Sequence, residues 1–206
     1  MKRRTFRTFA AAAFAVVAPT AAHAHLVETR LGDFYGGMLH PLTDLKQMLP
    51  WAALAALAAF QGPQRARWVV PVFPLALLCG GLLSQVVTAL PGASVLDVGL
   101  VAVTGLALAA AARLPLPALI ALVAVMGLLH GFQNGEAMAA NTDRLLFLSG
   151  MTAVGYAALT LGTGGAIAFL GGVGGWRPIA LRASGSWVAA VGLMVLGLQF
   201  VTPVVH

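Results

Sequence analysis

Apolar residues dominate this chain in long runs, and polar positions interrupt them at only a few places. Six runs carry the hydropathy of membrane-spanning helices: residues 42–60, 68–90, 95–112, 116–140, 145–170 and 186–203. Each holds about 17–26 residues, enough to cross a hydrocarbon core of about 30 Å at about 1.5 Å per residue. The pattern predicts an all-α, polytopic membrane protein built as a six-transmembrane-helix bundle. Turn chemistry separates the runs: "QGPQRAR" links the first and second, "LPGAS" the second and third. Ser94 followed by Asp97 reads as a capping box opening the third span, which gives Asp97 a structural role. Pro115 and Pro117 suit the first turn of the fourth. "GGVGGWRPIALR" lacks the Lys-Ser/Thr ending of a phosphate loop and reads as a flexible turn.

The segment ahead of these spans has a different grammar. "MKRRTFRTFAAAAFAVVAPTAAHA" combines a basic start, an apolar stretch of about ten residues and a small-x-small end at Ala22-His23-Ala24. That predicts a secretory signal peptide over residues 1–24, its apolar run being too short to span comfortably. Cleavage after Ala24 would leave His25 as the new N-terminus, where amine and imidazole together suit a nitrogen-preferring divalent metal such as Cu(II). Residues 25–41 then form a short extracytoplasmic segment, and 42–203 the six-helix transmembrane domain.

Composition sharpens the class. Of 206 residues, 60% are hydrophobic and 9% charged, against about 25% charged in ordinary soluble domains. Such a chain cannot cover itself with a water-compatible surface. The formal charge of +6 does not indicate nucleic acid, because Lys2, Arg3, Arg4 and Arg7 crowd the first seven positions. The other basic residues are scattered through short connections. Arg65, Arg67, Arg113, Arg177 and Arg182 fall in alternate connections, with only Arg30 and Arg144 near the opposite mouths. The positive-inside rule therefore places both mature termini outside the cytoplasm. The single cysteine, Cys79, can build neither a disulfide framework nor a thiolate metal site, and reads as a small buried hydrophobe.

Two polar clusters lie within this apolar frame. In "HPLTDLKQMLPW", residues 40–51, His40, Asp44 and Gln47 recur at intervals of four and three and are expected on one helix face. Pro50 cannot donate to the carbonyl of Lys46. In "LLHGFQNGEAM", residues 128–138, His130, Gln133 and Asn134 share a face, while Glu136 points elsewhere on a regular helix. The fourth span enters from the cytoplasmic side, so His130 lies about 21 Å along it. The first span begins outside. Both clusters thus belong to the outer half of the bilayer, where a shared polar site is expected because ionisable groups in lipid are costly. No nucleophile elbow and no HExxH pair is present, so an enzyme is not expected.

An Ala-x-Ala-ended signal, a histidine soon after it, "HP" at the first span and "HG…G…E" in the fourth together resemble the HupE/UreJ family. Its members are six-span bacterial membrane proteins associated with nickel, and in some cases cobalt, supply to hydrogenase or urease. The family's first motif runs His-Pro, two residues, Gly, one residue, then Asp-His. His40 and Pro41 match it; Asp44 stands at the Gly, and Lys46 and Gln47 replace Asp-His. The second motif runs His-Gly, two residues, His-Gly, then a glutamate two positions on. His130, Gly131 and Gly135 match; Asn134 replaces the second His, and Glu136 comes one position early.

The resemblance implies His40 and His130 as metal positions, with Gln47, Asn134 and Glu136 as local substitutes; Asp44 is expected with His40 and Gln47 at an outer mouth of the metal site. Imidazole suits nickel, whereas amide oxygens and carboxylates suit harder ions. It implies a divalent-metal permease or metal-handling protein, with the lipid bilayer and a divalent metal ion as partners and no tightly bound cofactor. A non-transporting accessory protein, with a membrane or metalloenzyme-assembly partner, is the other function the residues leave open.

Overall fold

The computed structural model describes residues 30–173 and 175–201, so the expected signal peptide and His25 lie outside the described residues. The described residues form seven helices and no strand: α1 Arg30–Thr43, α2 Leu45–Phe60, α3 Pro63–Leu83, α4 Ala93–Ala109, α5 Leu116–Glu136, α6 Arg144–Leu170 and α7 Trp176–Val201. Four of them, α3, α5, α6 and α7, are long and apolar enough to cross a membrane. The two remaining apolar helices, α2 and α4, are shorter, at 16 and 17 residues.

Several boundaries differ from the hydropathy reading, each for a local reason. The polar stretch before residue 42 contains a helix of its own, α1. It is separated from α2 by Asp44, whose extended backbone and side chain cap α2 by accepting the Lys46 N–H at 2.9 Å. Helix α3 stops at Leu83 instead of residue 90, where the β-branched run Val86-Val87-Thr88 and Pro91 disfavour continuation. Helix α7 starts at Trp176 instead of residue 186. Pro178 fits its first turn, and two arginines that hydropathy assigned to the loop find partners there. Arg182 Nε donates to the Ala109 carbonyl at 2.8 Å, and the Arg177 guanidinium lies over the rings of Phe169 and Trp176. Cys79 faces outward from the bundle, not inward.

Helix α2 is the central element. Gln47, Pro50, Trp51 and every residue from Ala53 to Ala59 are buried, and the helix contacts α1, α3, α4, α6 and α7. Around it the other helices pack as close pairs, α3 with α5, α4 with α7 and α1 with α6. Lipid tails are as apolar as leucine, so association within a bilayer depends on close packing rather than on the hydrophobic effect. Glycine permits that closeness. A Cβ at Gly80 would run into the backbone of Leu128, and one at Gly131 into the backbone of Leu77, so α3 and α5 touch main chain to main chain. Gly105, Gly185 and Gly192 do the same for α4 and α7. Trp51, Leu54, Phe73, Leu77, Met126 and Met151 fill the space between the pairs.

One end of the bundle is clamped by polar side chains. Gln61 donates through Nε2 to the Ala112 carbonyl at 2.8 Å and accepts from the Leu114 N–H at 2.9 Å. Arg65 donates to the Leu114 carbonyl at 2.9 Å. In the α4–α5 connection, which includes Ala111 at φ 48, the Ala112 and Leu114 carbonyls and the Leu114 N–H thereby find partners.

Gly80→Ala is expected to destabilise the bundle by about 1–3 kcal/mol or more, because backbone cannot yield as a side chain can. Gly99→Ala, which meets nothing within 4 Å, is expected to be neutral or stabilising by up to about 1 kcal/mol. Thermal unfolding midpoints in detergent compare the two; equal midpoints would refute the packing account.

Candidate functional site

The N-terminal half of α2 and the C-terminal part of α5 meet across a buried polar seam. Trp51 and Gln47 lie one turn apart on α2, and His130 and Asn134 one turn apart on α5, so each helix presents an i, i+4 pair. The pairs face one another. Trp51 Nε1–H donates to His130 Nδ1 at 2.7 Å, and Asn134 Nδ2 donates to Gln47 Oε1 at 2.6 Å. Asn134 Nδ2 also donates to the His130 carbonyl at 2.6 Å, which identifies that atom as the amide nitrogen, since a carbonyl only accepts. Both His130 and Asn134 are 0% exposed. Phe73 closes the far side of Trp51, edge-on with ring centroids 5.2 Å apart.

A third helix joins the seam. His130 Nε2 lies 2.9 Å from Asp97 Oδ1 on α4. The expected capping box is therefore not formed: Gly92 caps α4 with no side-chain bond, and Asp97 turns inward to the imidazole. A buried imidazole N–H requires an acceptor, and this constraint outweighs the small gain of a cap.

Asp97 also borders a cavity of about 550 Å³ between α2, α4, α5 and α7. Lys46, Ser94, Asp97, Gln133, Glu136 and Gln199 supply its polar lining, within otherwise apolar walls. Gln133 engages the same carboxylate from α5. Two oxygens near these elements accept no hydrogen bond among the described residues: Gln199 Oε1 and the fully buried Asn134 Oδ1. A buried acceptor left unpaired costs about 1–3 kcal/mol.

The residues expected from sequence divide into three groups. Gln47, His130 and Asn134 come together at the seam. Glu136, the last residue of α5, is exposed and borders the cavity. His40 and Asp44 do not share a face with Gln47, because the chain breaks between α1 and α2. Asp44 is occupied as a helix cap. His40 is exposed, its ring 6.1 Å from that of Phe147. No group of three or more His, Cys, Asp or Glu side chains that could hold a metal ion occurs among the described residues.

Trp51 and Asp97 are the site residues that sequence reasoning passed over. The spacing of Trp51 four residues after Gln47 was a readable signal. Asp97 offered none, since a carboxylate three residues after a serine at a helix start is the ordinary form of a capping box. Ser94→Ala is accordingly expected to change stability by less than about 0.5 kcal/mol. Asp97→Ala, which strands the His130 N–H, is expected to cost about 1–3 kcal/mol. Chemical or thermal unfolding in detergent measures both, and a larger loss from Ser94→Ala would restore the capping assignment.

Comparison with known proteins bears on this arrangement. Residues 12–195 match the model of a family described as HupE / UreJ protein. The chain is 28% identical over 183 residues to Protein HupE of Rhizobium leguminosarum bv. viciae, covering 88% of this chain and 93% of that protein. No solved structure matches. With most of its length matched, the seam between α2 and α5 included, the chain belongs to the HupE/UreJ family.

Proposed function

We propose that this protein is a multi-pass inner-membrane protein that moves or handles a divalent metal ion, with its polar site at the α2–α5 seam and the cavity beside it. Six crossings, α2 to α7, follow if α2 and α4, each spanning about 24–26 Å, complete the set of longer helices. The arginines Arg65, Arg67, Arg113, Arg177 and Arg182 then lie at one end, and Asp33, Asp44, Glu136 and Asp143 at the other. The positive-inside rule makes the arginine end cytoplasmic and both mature termini periplasmic, after removal of a signal peptide.

The observation that carries the metal reading is the orphaned Asn134 Oδ1. Asn134 stands where the family motif has a second histidine, and its unpaired oxygen is a ready ligand for a partly dehydrated cation. HupE/UreJ proteins are associated with nickel or cobalt supply. Here an amide oxygen replaces an imidazole, which favours a harder ion than the family's usual cargo. The second reading, a non-transporting accessory protein for assembly of another complex, is favoured by the lack of clustered His, Cys, Asp and Glu among the described residues.

Cellular metal content, measured by mass spectrometry with the chain absent, expressed, or carrying Asn134→Leu, tests the proposal. The expected outcome is selective accumulation of one divalent metal that Asn134→Leu abolishes at equal protein level. Asn134→His is expected to shift accumulation towards nickel. Metal contents that do not respond to expression at all would dismiss the permease, and metal-independent co-purification with a partner would then identify the accessory role.

A further inference from the structure

His130 matches the first histidine of the family's second motif, yet its ring has no free lone pair. The indole N–H is a donor only, so at 2.7 Å from His130 Nδ1 it requires a lone pair on that nitrogen. A neutral imidazole then carries its hydrogen on Nε2, which lies 2.9 Å from Asp97 Oδ1 and donates to it. A hydrogen on Nδ1 would set two N–H groups against each other. A metal at Nδ1 would have to displace Trp51, which is 1% exposed and held by Phe73. A metal at Nε2 would have to break the contact with Asp97.

We propose that Trp51 is a positioning residue: its indole N–H fixes His130 as the neutral Nε2–H tautomer, making the imidazole a fixed donor to Asp97 at the cavity wall and not an ion ligand. Three helices are tied in sequence by this arrangement, α2 through Trp51, α5 through His130 and α4 through Asp97. The carboxylate that borders the cavity is thereby held in place. Carboxylates that face an ion are commonly held by hydrogen bonds from groups behind them, which set their geometry. The tautomer follows from the hydrogen bonds alone, while its role in ion handling rests on the function proposed above.

The test uses the ¹⁵N-labelled full-length protein in lipid nanodiscs, with His130→Gln to assign the ring signals. Expected in the unmodified protein are a protonated Nε2, an unprotonated Nδ1 and a scalar coupling between Trp51 Nε1 and His130 Nδ1 across the hydrogen bond. Added Ni(II) is expected to leave the His130 ring signals in place. Trp51→Phe keeps an aromatic ring against Phe73 but removes the donor. It is expected to abolish the coupling, to let Ni(II) perturb His130 and to lower metal accumulation in cells severalfold. Asp97→Asn, whose amide oxygen still accepts from Nε2, is expected to preserve the tautomer and the coupling.

A hydrogen on Nδ1 in the unmodified protein, or Ni(II) coordination by its His130, would overturn the assignment. Metal accumulation equal in the unmodified protein and in folded Trp51→Phe would overturn the positioning role. Absence of metal accumulation in the unmodified protein, with the coupling intact, would refute the function proposed above and leave the tautomer assignment standing.

Discussion

The hydrogen bond from the Trp51 indole to the His130 imidazole organises the half of this bundle that holds the polar seam. Trp51 and His130 are buried, so an N–H on either ring must be met by an acceptor of the protein. The indole can only donate, which settles the state of the ring it touches. The other ring nitrogen then demands an acceptor, and Asp97 turns away from the helix start to supply it. One directional contact therefore determines the neighbouring ones, and α2, α4 and α5 are held in register by side chains that no apolar packing could orient.

That seam requires helices brought very near to each other. Gly80 and Gly131 let α3 and α5 approach main chain to main chain, which carries His130 and Asn134 against the central helix. Gly105, Gly185 and Gly192 join α4 to α7, placing Asp97 on the opposite wall of the cavity. At the arginine end, Gln61, Arg65 and Arg182 satisfy the carbonyls around the α4–α5 connection. The two ends thus solve different problems. One clamps loop backbone with long donors, and the other buries a short polar chain beside a cavity.

The two amide side chains of the seam are matched to each other. Asn134 Nδ2 donates to Gln47 Oε1, so each amide meets the other across the helices. Asn134 Oδ1 accepts no hydrogen bond among the described residues.

The helical class, the apolar runs, the charge asymmetry and the two polar clusters were legible in the sequence, because each depends on residues near one another along the chain. The i, i+4 spacing of His130 and Asn134 placed them on one face before any packing was known. Local pattern also misled where a residue had two plausible partners. Asp97 had the spacing of a cap, and only the tertiary structure brought an imidazole N–H within its reach. His40, Asp44 and Gln47 had helical spacing, but Asp44 ended one helix and capped the next, which separated them. Sequence determined which groups are polar within the apolar helices. Tertiary structure alone decided which of them face each other, because in a buried site every donor must find its acceptor across helices that the chain itself does not place side by side.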